Sequence, residues 1–365
     1  MTPLSRLSAT LILAVLGSAC GPCLGEGKAT KVPRPAIPWA PRLYQCMRGS
    51  GLTIDGALQE PAWQSAAWTE DFVDIEGEGK PAPRFRTRAK MLWDDSCFYV
   101  GAELQEPHLW ATLRQRDTVI FYDNDFEVFI DPDGDTHLYY ELEVNALGTA
   151  WDLLLVKPYR DGGPAVNAWD IRGLRLGVGL KGTLNNPADV DSGWSVEIAM
   201  PWEVLGECAA HKGPPVPGEY WRLNFSRVEW RTQVVAGRYE KVKDPATGRP
   251  LAEDNWVWSA QGVVNMHYPE MWGFVHFVAG PDLLAPLLMP AGEEAKWCLR
   301  ELYYAQWQHH AGHGSFAEKV CLLSLSESQH RRLRLFVGPG SFFACCAGDD
   351  GGTWWIAQDG RVWKE

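Results

Sequence analysis

Between Leu43 and Gly280 the chain is written as short runs of β-branched and aromatic residues, each closed off by Asp, Gly or Pro. The clearest are Arg86–Trp93, Cys97–Leu104, Asp125–Asp131, Leu138–Asn145, Ala150–Val156, Leu174–Leu180, Trp194–Met200, Tyr220–Trp230 and Trp272–Phe277. Runs of this length and alternation read as strands, with Asp, Gly and Pro separating them. Regularly recurring short strands favour a sandwich or barrel over a helix-alternating parallel sheet, and a mainly β, antiparallel sandwich is expected over residues 43–280. Trp194, Trp202 and Trp221 fall in runs typical of buried strands, and Pro201–Leu205 reads as one short helical turn.

The two ends differ from this body. Arg6 precedes an apolar run from Leu7 to Leu16, followed by Gly17-Ser18-Ala19. This is the layout of a secretory signal peptide over residues 1–19, and the run is too short to span a bilayer. Cleavage after Ala19 would expose Cys20, the arrangement of a bacterial lipoprotein with a membrane lipid anchor. The expected location is therefore extracellular, periplasmic or lipid-anchored at the outer surface. Residues 20–42 carry repeated prolines and read as an extended linker. At the other end, Glu293 to about His310 has helical spacing, and Leu333–Ala344 and Trp354–Trp363 read as a hairpin. Residues 281–365 are thus expected to be a helix-plus-hairpin appendage.

Charge restricts the partners. With 34 basic against 46 acidic residues the net charge is −12, and no basic run breaks the balance. That argues against nucleic acid, which is held by clustered Lys and Arg. Glu127, Glu141, Glu143 and Asp152 lie on or beside strands, where two carboxylates could flank a glycosidic bond. Asp131, Asp133 and Asp135 offer a calcium candidate. A complete EF-hand would need Gly and Glu where Thr136 and Leu142 stand, so a β-turn explains these residues as well. His309 and His313 share a face at the helix end but lack the Glu of a zinc protease. The nine cysteines match no disulfide framework or zinc ribbon.

The aromatic inventory points elsewhere. The 19 Trp outnumber both the 13 Phe and the 11 Tyr. Sugars present flat C–H faces ringed by hydroxyls, so a protein that holds them sets aromatic platforms beside carboxylates and amides. Trp151-Asp152 and Trp256-Val257-Trp258 mix the two in this way.

Several stretches resemble family 9 carbohydrate-binding modules. They are Leu52-Thr53-Ile54-Asp55-Gly56 with Pro61-Ala62-Trp63, Ala89–Asp95 leading to Phe98-Tyr99-Val100, Asp125–Asp131, Glu143-Val144-Asn145, and Gly193–Ala199 with Pro201-Trp202. Asn224–Trp230 and Asn265–Gly273 add a likeness to stand-alone exported members. The resemblance implies a β-sandwich of the CBM9/DOMON-like kind, an oligosaccharide or polysaccharide partner, structural calcium in some members, and the company of polysaccharide-degrading enzymes. In that family two Trp, a Glu, an Arg and an Asn hold the sugar. Glu127 and Asn145 match the Glu and Asn, Phe121 and Met266 fall near the Trp positions, and Glu143 stands where the Arg is expected. The implied site is Glu127, Asn145, Glu143 and Phe121, with Trp151, Arg227, Trp258 and His267 as its rim. Two other functions belong to this comparison: a glycoside hydrolase acting through Glu127 and Glu143, and a haem-binding sandwich. The second is disfavoured because Met266 and His267 are adjacent, and on a strand they would face opposite ways.

Overall fold

The computed structural model describes residues 32–280 and 287–365, so the export segment and Cys20 lie outside the described residues. Among the described residues no helix is long and apolar enough to cross a membrane. The first strands are β1 (Leu43–Arg48), β2 (Val73–Asp74), β3 (Thr87–Trp93), β4 (Cys97–Leu104) and β5 (Asp125–Asp131). They are followed by β6 (Tyr139–Asn145), β7 (Ala150–Leu155), β8 (Ala165–Val166), β9 (Arg175–Lys181) and β10 (Gly193–Pro201). Next come β11 (Tyr220–Glu229), the hairpin β12 (Thr232–Val235) and β13 (Arg238–Lys241), then β14 (Asp254–Val257) and β15 (Gly273–Val278). Two short helices, α1 (Pro61–Ser65) and α2 (Trp202–Leu205), sit among them.

All but the hairpin join one 13-stranded sheet in the order β8-β7-β6-β5-β11-β15-β1-β3-β4-β10-β9, with β14 and β2 continuing from β11. The two halves of this sheet fold over one another. Phe126, Val128 and Ile130 of β5, with Leu223 and Phe225 of β11, share one core with Met91 and Trp93 of β3 and Val196 and Ile198 of β10. The sheet is therefore a sandwich made by curling. Its pairing is antiparallel except at β1, which runs parallel to both β15 and β3 and so joins the two halves.

Residues 32–42 do not stand away as a linker. Val32 is buried, the Ala36 N–H donates to Gly262 O at 2.9 Å, and the Trp39 ring stacks on Trp297 at 5.3 Å. The prolines hold this segment extended, and the apolar side chains between them give it a surface to bury.

The C-terminal part is a 21-residue helix, α3 (Glu293–His313), a shorter α4 (Glu327–Arg332), and four antiparallel strands, β16 (Leu333–Gly338), β17 (Ser341–Ala347), β18 (Thr353–Ala357) and β19 (Val362–Lys364). Each of the two long runs read from the sequence is split by a turn. Pro339-Gly340 divides the first, with Gly340 at φ +74°, and Gly360 at φ +84° lies in the second turn.

A buried ion-pair network joins this part to the sandwich. Arg160, in a 3-10 turn just after β7, donates to both Glu270 carboxylate oxygens at 2.8 Å. Tyr304 of α3 also donates to Glu270, and Tyr303 donates to Asp161 at 2.6 Å. At the start of the helix Glu293 accepts from Arg222 of β11 at 2.5 Å. Burial alone would raise the Glu270 pKa, but Arg160, Arg300 and the hydrogen bonds from Arg160 and Tyr304 bring it down to about 2. Removing one partner of such a pair strands a buried charge and typically costs about 3–5 kcal/mol. Arg160→Met should therefore lower unfolding stability in denaturant by about that amount and expose α3 to proteolysis first, whereas a loss below about 1 kcal/mol would mean that the lobe is held by apolar contact alone.

Candidate functional site

The site lies on the face of β5, β6, β7 and β11 that points away from the sandwich core. Alternation creates it: Phe126, Val128 and Ile130 enter the core, so Asp125, Glu127 and Phe129 face outward. On β6 Tyr140, Leu142 and Val144 go inward, which leaves Tyr139, Glu141, Glu143 and Asn145 outward. Register then lines up Ser226, Glu127, Glu143 and Trp151 as one row across four strands. The next row in one direction holds Asn224, Phe129, Glu141 and Leu153.

The centre of this face is acidic. Asp125, Glu127 and Glu143 each offer a carboxylate oxygen within 4.8 Å of the others, and all three are buried. Burial raises the Glu127 pKa to about 7, with Glu253 adding to the effect. Asp125, Glu141 and Glu143 are pushed well above the carboxylate range, first by burial and then by the charge of Glu127. Few donors compensate. The Phe121 N–H donates to Glu143 at 2.9 Å and the Val228 N–H to Asp125 at 3.2 Å. The other Asp125 oxygen has no hydrogen-bond partner, and neither does the indole N–H of Trp151.

Aromatic groups stand at both ends of the acidic centre. Phe121 and Tyr122 lie beside Glu143, with ring centres 5.0 Å apart and Tyr122 56% exposed. The Phe121 carbonyl accepts from the Trp230 indole at 2.8 Å, and the Lys241 ammonium sits 3.2 Å from the Trp230 ring centre. Burial lowers the Lys241 pKa to about 8. At the other end the half-exposed Tyr159 meets His267 edge-on at 4.5 Å. Glu141 and Glu143 are close enough to raise the Tyr159 pKa, an effect second to burial. His267 shares a 2.9 Å hydrogen bond with Tyr139 and packs edge-on to Phe129.

Of the residues expected from the sequence, Glu127, Glu143, Phe121, Trp151 and His267 are brought to this face. Asn145 is at its margin, but its amide is fully engaged. Its nitrogen donates to Leu113 O and Asp123, and its oxygen accepts from Leu147 and Thr149, so it shapes the β6–β7 turn. Arg227 is one residue out of phase with Ser226 and points into the sandwich. There it binds Glu229, Glu106, Thr87 and the Gln105 carbonyl, leaving nothing for a ligand. Trp258 is a core residue packed on Phe225, with its N–H on Glu70. These two do not belong to the rim. Asp152 is also elsewhere, held by Arg116 and the Ile171 N–H.

The Asp131, Asp133 and Asp135 carboxylates lie together too, but in a self-bonded turn. Asp131 accepts from Gly134 and Thr136, Asp133 from Asp135, and Asp135 from His137 and Arg361. The reading from sequence missed Tyr159, Tyr122 and Asp125 as site residues. Asp125 carried a signal, since it alternates with Glu127 on β5.

Residues 54–214 match the family model described as carbohydrate family 9 binding domain-like. Among solved structures, the chain is similar to a family 9 module from Caldicellulosiruptor kristjanssonii in complex with cellotriose, at 17% identity and TM-score 0.43, covering 68% of this chain and all of that one. It is also similar to a putative carbohydrate-binding protein from Bacteroides uniformis, at 13% identity and TM-score 0.47, covering 65% of this chain and all of that one. No curated protein matches the chain. The match to the family 9-like model takes in β5, β6 and β7, while β11, which supplies Ser226, lies beyond it.

His267 gives this face a pH dependence. Burial first, then the Arg160 charge, lowers its pKa to about 3, against about 6.5 in the unfolded chain. A depressed pKa of this kind contributes stability above pH 6.5 that is lost as pH falls towards 3, because only the unfolded chain takes up the proton. Between pH 7 and 4.5 the wild type should lose about 2–3 kcal/mol more unfolding free energy than His267→Gln. Denaturant midpoints at the two pH values measure this, and parallel curves would show that His267 takes up its proton in the folded state.

Proposed function

We propose that this is an exported saccharide-binding protein whose binding surface is the outer face of β5–β7. The observation that carries the reading is the arrangement on that face: Phe121 and Tyr122 at one end, Trp151, Tyr159 and His267 towards the other, and a carboxylate floor between them. Aromatic faces stack on sugar C–H surfaces, and carboxyl groups accept from or donate to ring hydroxyls. The family 9-like match, and the cellotriose and glucose held by two similar solved modules, support the same class of partner. The signal-peptide layout of residues 1–19 supports export, and Cys20 is the residue expected to carry lipid.

Calorimetry of the mature chain with oligosaccharides from plant and microbial glycans tests the reading. Trp151→Ala and Tyr159→Ala should each weaken binding about tenfold, the worth of one stacking platform. Trp258→Phe should leave affinity unchanged. Failure of every saccharide to saturate the protein, or equal losses in all three variants, would overturn the assignment of this face. Release of new reducing ends by the wild type, abolished in Glu127→Gln, would instead favour the hydrolase reading. For the anchor, a fatty-acid label should enter the wild type in a bacterial host and be absent from Cys20→Ser; equal labelling of both would exclude Cys20.

A further inference from the structure

The acidic floor raises a question that saccharide binding does not answer. Elsewhere in the protein many buried carboxylates are matched by positive charge. Glu270 has Arg160, Glu293 has Arg222 and Lys296, Glu229 and Glu106 share Arg227, and Asp152 has Arg116. For Asp125, Glu127, Glu141 and Glu143 the groups that act most strongly are burial, a few hydrogen bonds and other carboxylates. Lys241, the lysine of this region, is turned over the Trp230 ring. Burying several carboxyls together without a counter-charge is costly, and a bound cation is one of the two ways to offset it; retained protons are the other.

A second observation distinguishes these. Ser226 is fully buried and lies directly opposite Glu127 in the β5–β11 register, so its side chain points to the same face. Its hydroxyl makes no well-formed hydrogen bond, although it is near enough to Glu127 to favour the charged carboxylate. The free oxygen of Asp125, also in a fully buried residue, has no partner either. Glu141 and Glu143 do share a side-chain hydrogen bond, but protons alone leave the Ser226 hydroxyl and the second Asp125 oxygen without a partner. Oxygen atoms left unpartnered around one point are instead the donor set of a hard cation, which takes six to eight oxygen ligands.

We propose that Asp125, Glu127 and Glu143, with the Ser226 hydroxyl beside them, hold one divalent cation of the calcium class in the floor of the β5–β7 face. This site is separate from the Asp131–Asp135 turn, whose carboxylates are already occupied by backbone N–H groups and Arg361. It does not depend on the saccharide reading, because the ligands are all protein oxygens and the ion can be titrated without sugar.

The test is calorimetric titration of calcium chloride into the chelator-stripped mature chain, with no saccharide present. The wild type should show one saturable site. Glu143→Gln and Asp125→Asn should each weaken it at least tenfold while Asp133→Asn leaves it unchanged. Glu143→Gln removes a like charge from a buried cluster without changing its volume, so the fold is expected to persist, and circular dichroism checks this. Absence of a saturable site in the wild type would overturn the proposal. So would affinity unchanged in both Glu143→Gln and Asp125→Asn, or affinity abolished by Asp133→Asn. Calcium binding without any saccharide binding would leave this proposal standing and remove the other.

Discussion

The Arg160–Glu270 pair is the interaction through which the parts of this protein reach one another. Arg160 follows Tyr159, which forms one wall of the candidate site, and it also donates to the His267 carbonyl at 3.2 Å. Its guanidinium lies over the Tyr268 ring at 4.0 Å, and Tyr268 in turn donates to the Pro33 carbonyl. Glu270 accepts from Tyr304 of α3, and its backbone carbonyl accepts from Trp39 and Arg222. One ion pair thus meets the N-terminal segment, the long C-terminal helix, β11 and the site wall. A buried pair of this kind contributes little net stability compared with an apolar substitute, yet it is costly to break on one side. Its effect is to fix position, and what it fixes is the turn that presents Tyr159.

The C-terminal part therefore has a physical relation to the candidate site without contributing the residues that form it. Tyr303 and Tyr304 of α3 press on Asp161 and Glu270, and these hold Arg160 from below. Its own core, built from Leu299, Leu302, Phe342, Ala344 and Ile356, continues to Tyr268 and Met271 of the sandwich. Residues 269–271 form a 3-10 turn that faces both bodies. Deforming the lobe would be felt first at that turn and next at His267.

Much of the fold was legible in the chain because strand alternation is a local property. On β5 and β6 alternate positions, Phe126, Val128, Ile130, Tyr140, Leu142 and Val144, enter the core, and the acidic residues between them face out together with Phe129 and Tyr139. β1 was not legible. Its Leu-Tyr-Gln-Cys-Met-Arg run resembles many others, and its role comes from two parallel partners more than 40 residues away. The site was legible to the extent that it lies on those strands. Glu127, Glu143 and Trp151 share a row because register follows from the strand pattern once pairing is known. Tyr159 and His267 are 108 positions apart and meet only through tertiary packing, so no local spacing marks them. Arg227 shows the opposite failure: its type suggested a ligand contact, but a shift of one residue along β11 turns it inward to Glu106 and Glu229.

The replacement at Glu143 has the widest consequence for what this surface can hold. Where the resemblance places an arginine, this chain has a carboxylate directly opposite another, Glu127. An arginine there would neutralise Glu127 and donate to a ligand. The glutamate does neither, and it adds like charge in a position shielded from water. Such a substitution destabilises the folded chain unless protons or a cation come with it. The surrounding aromatics do not change sign in the same way: Phe121, Trp151 and Tyr159 offer apolar faces whatever the charge beneath them. The two components of the surface are thus separable. On the proposed reading its walls would take flat apolar faces, and its floor a positive charge.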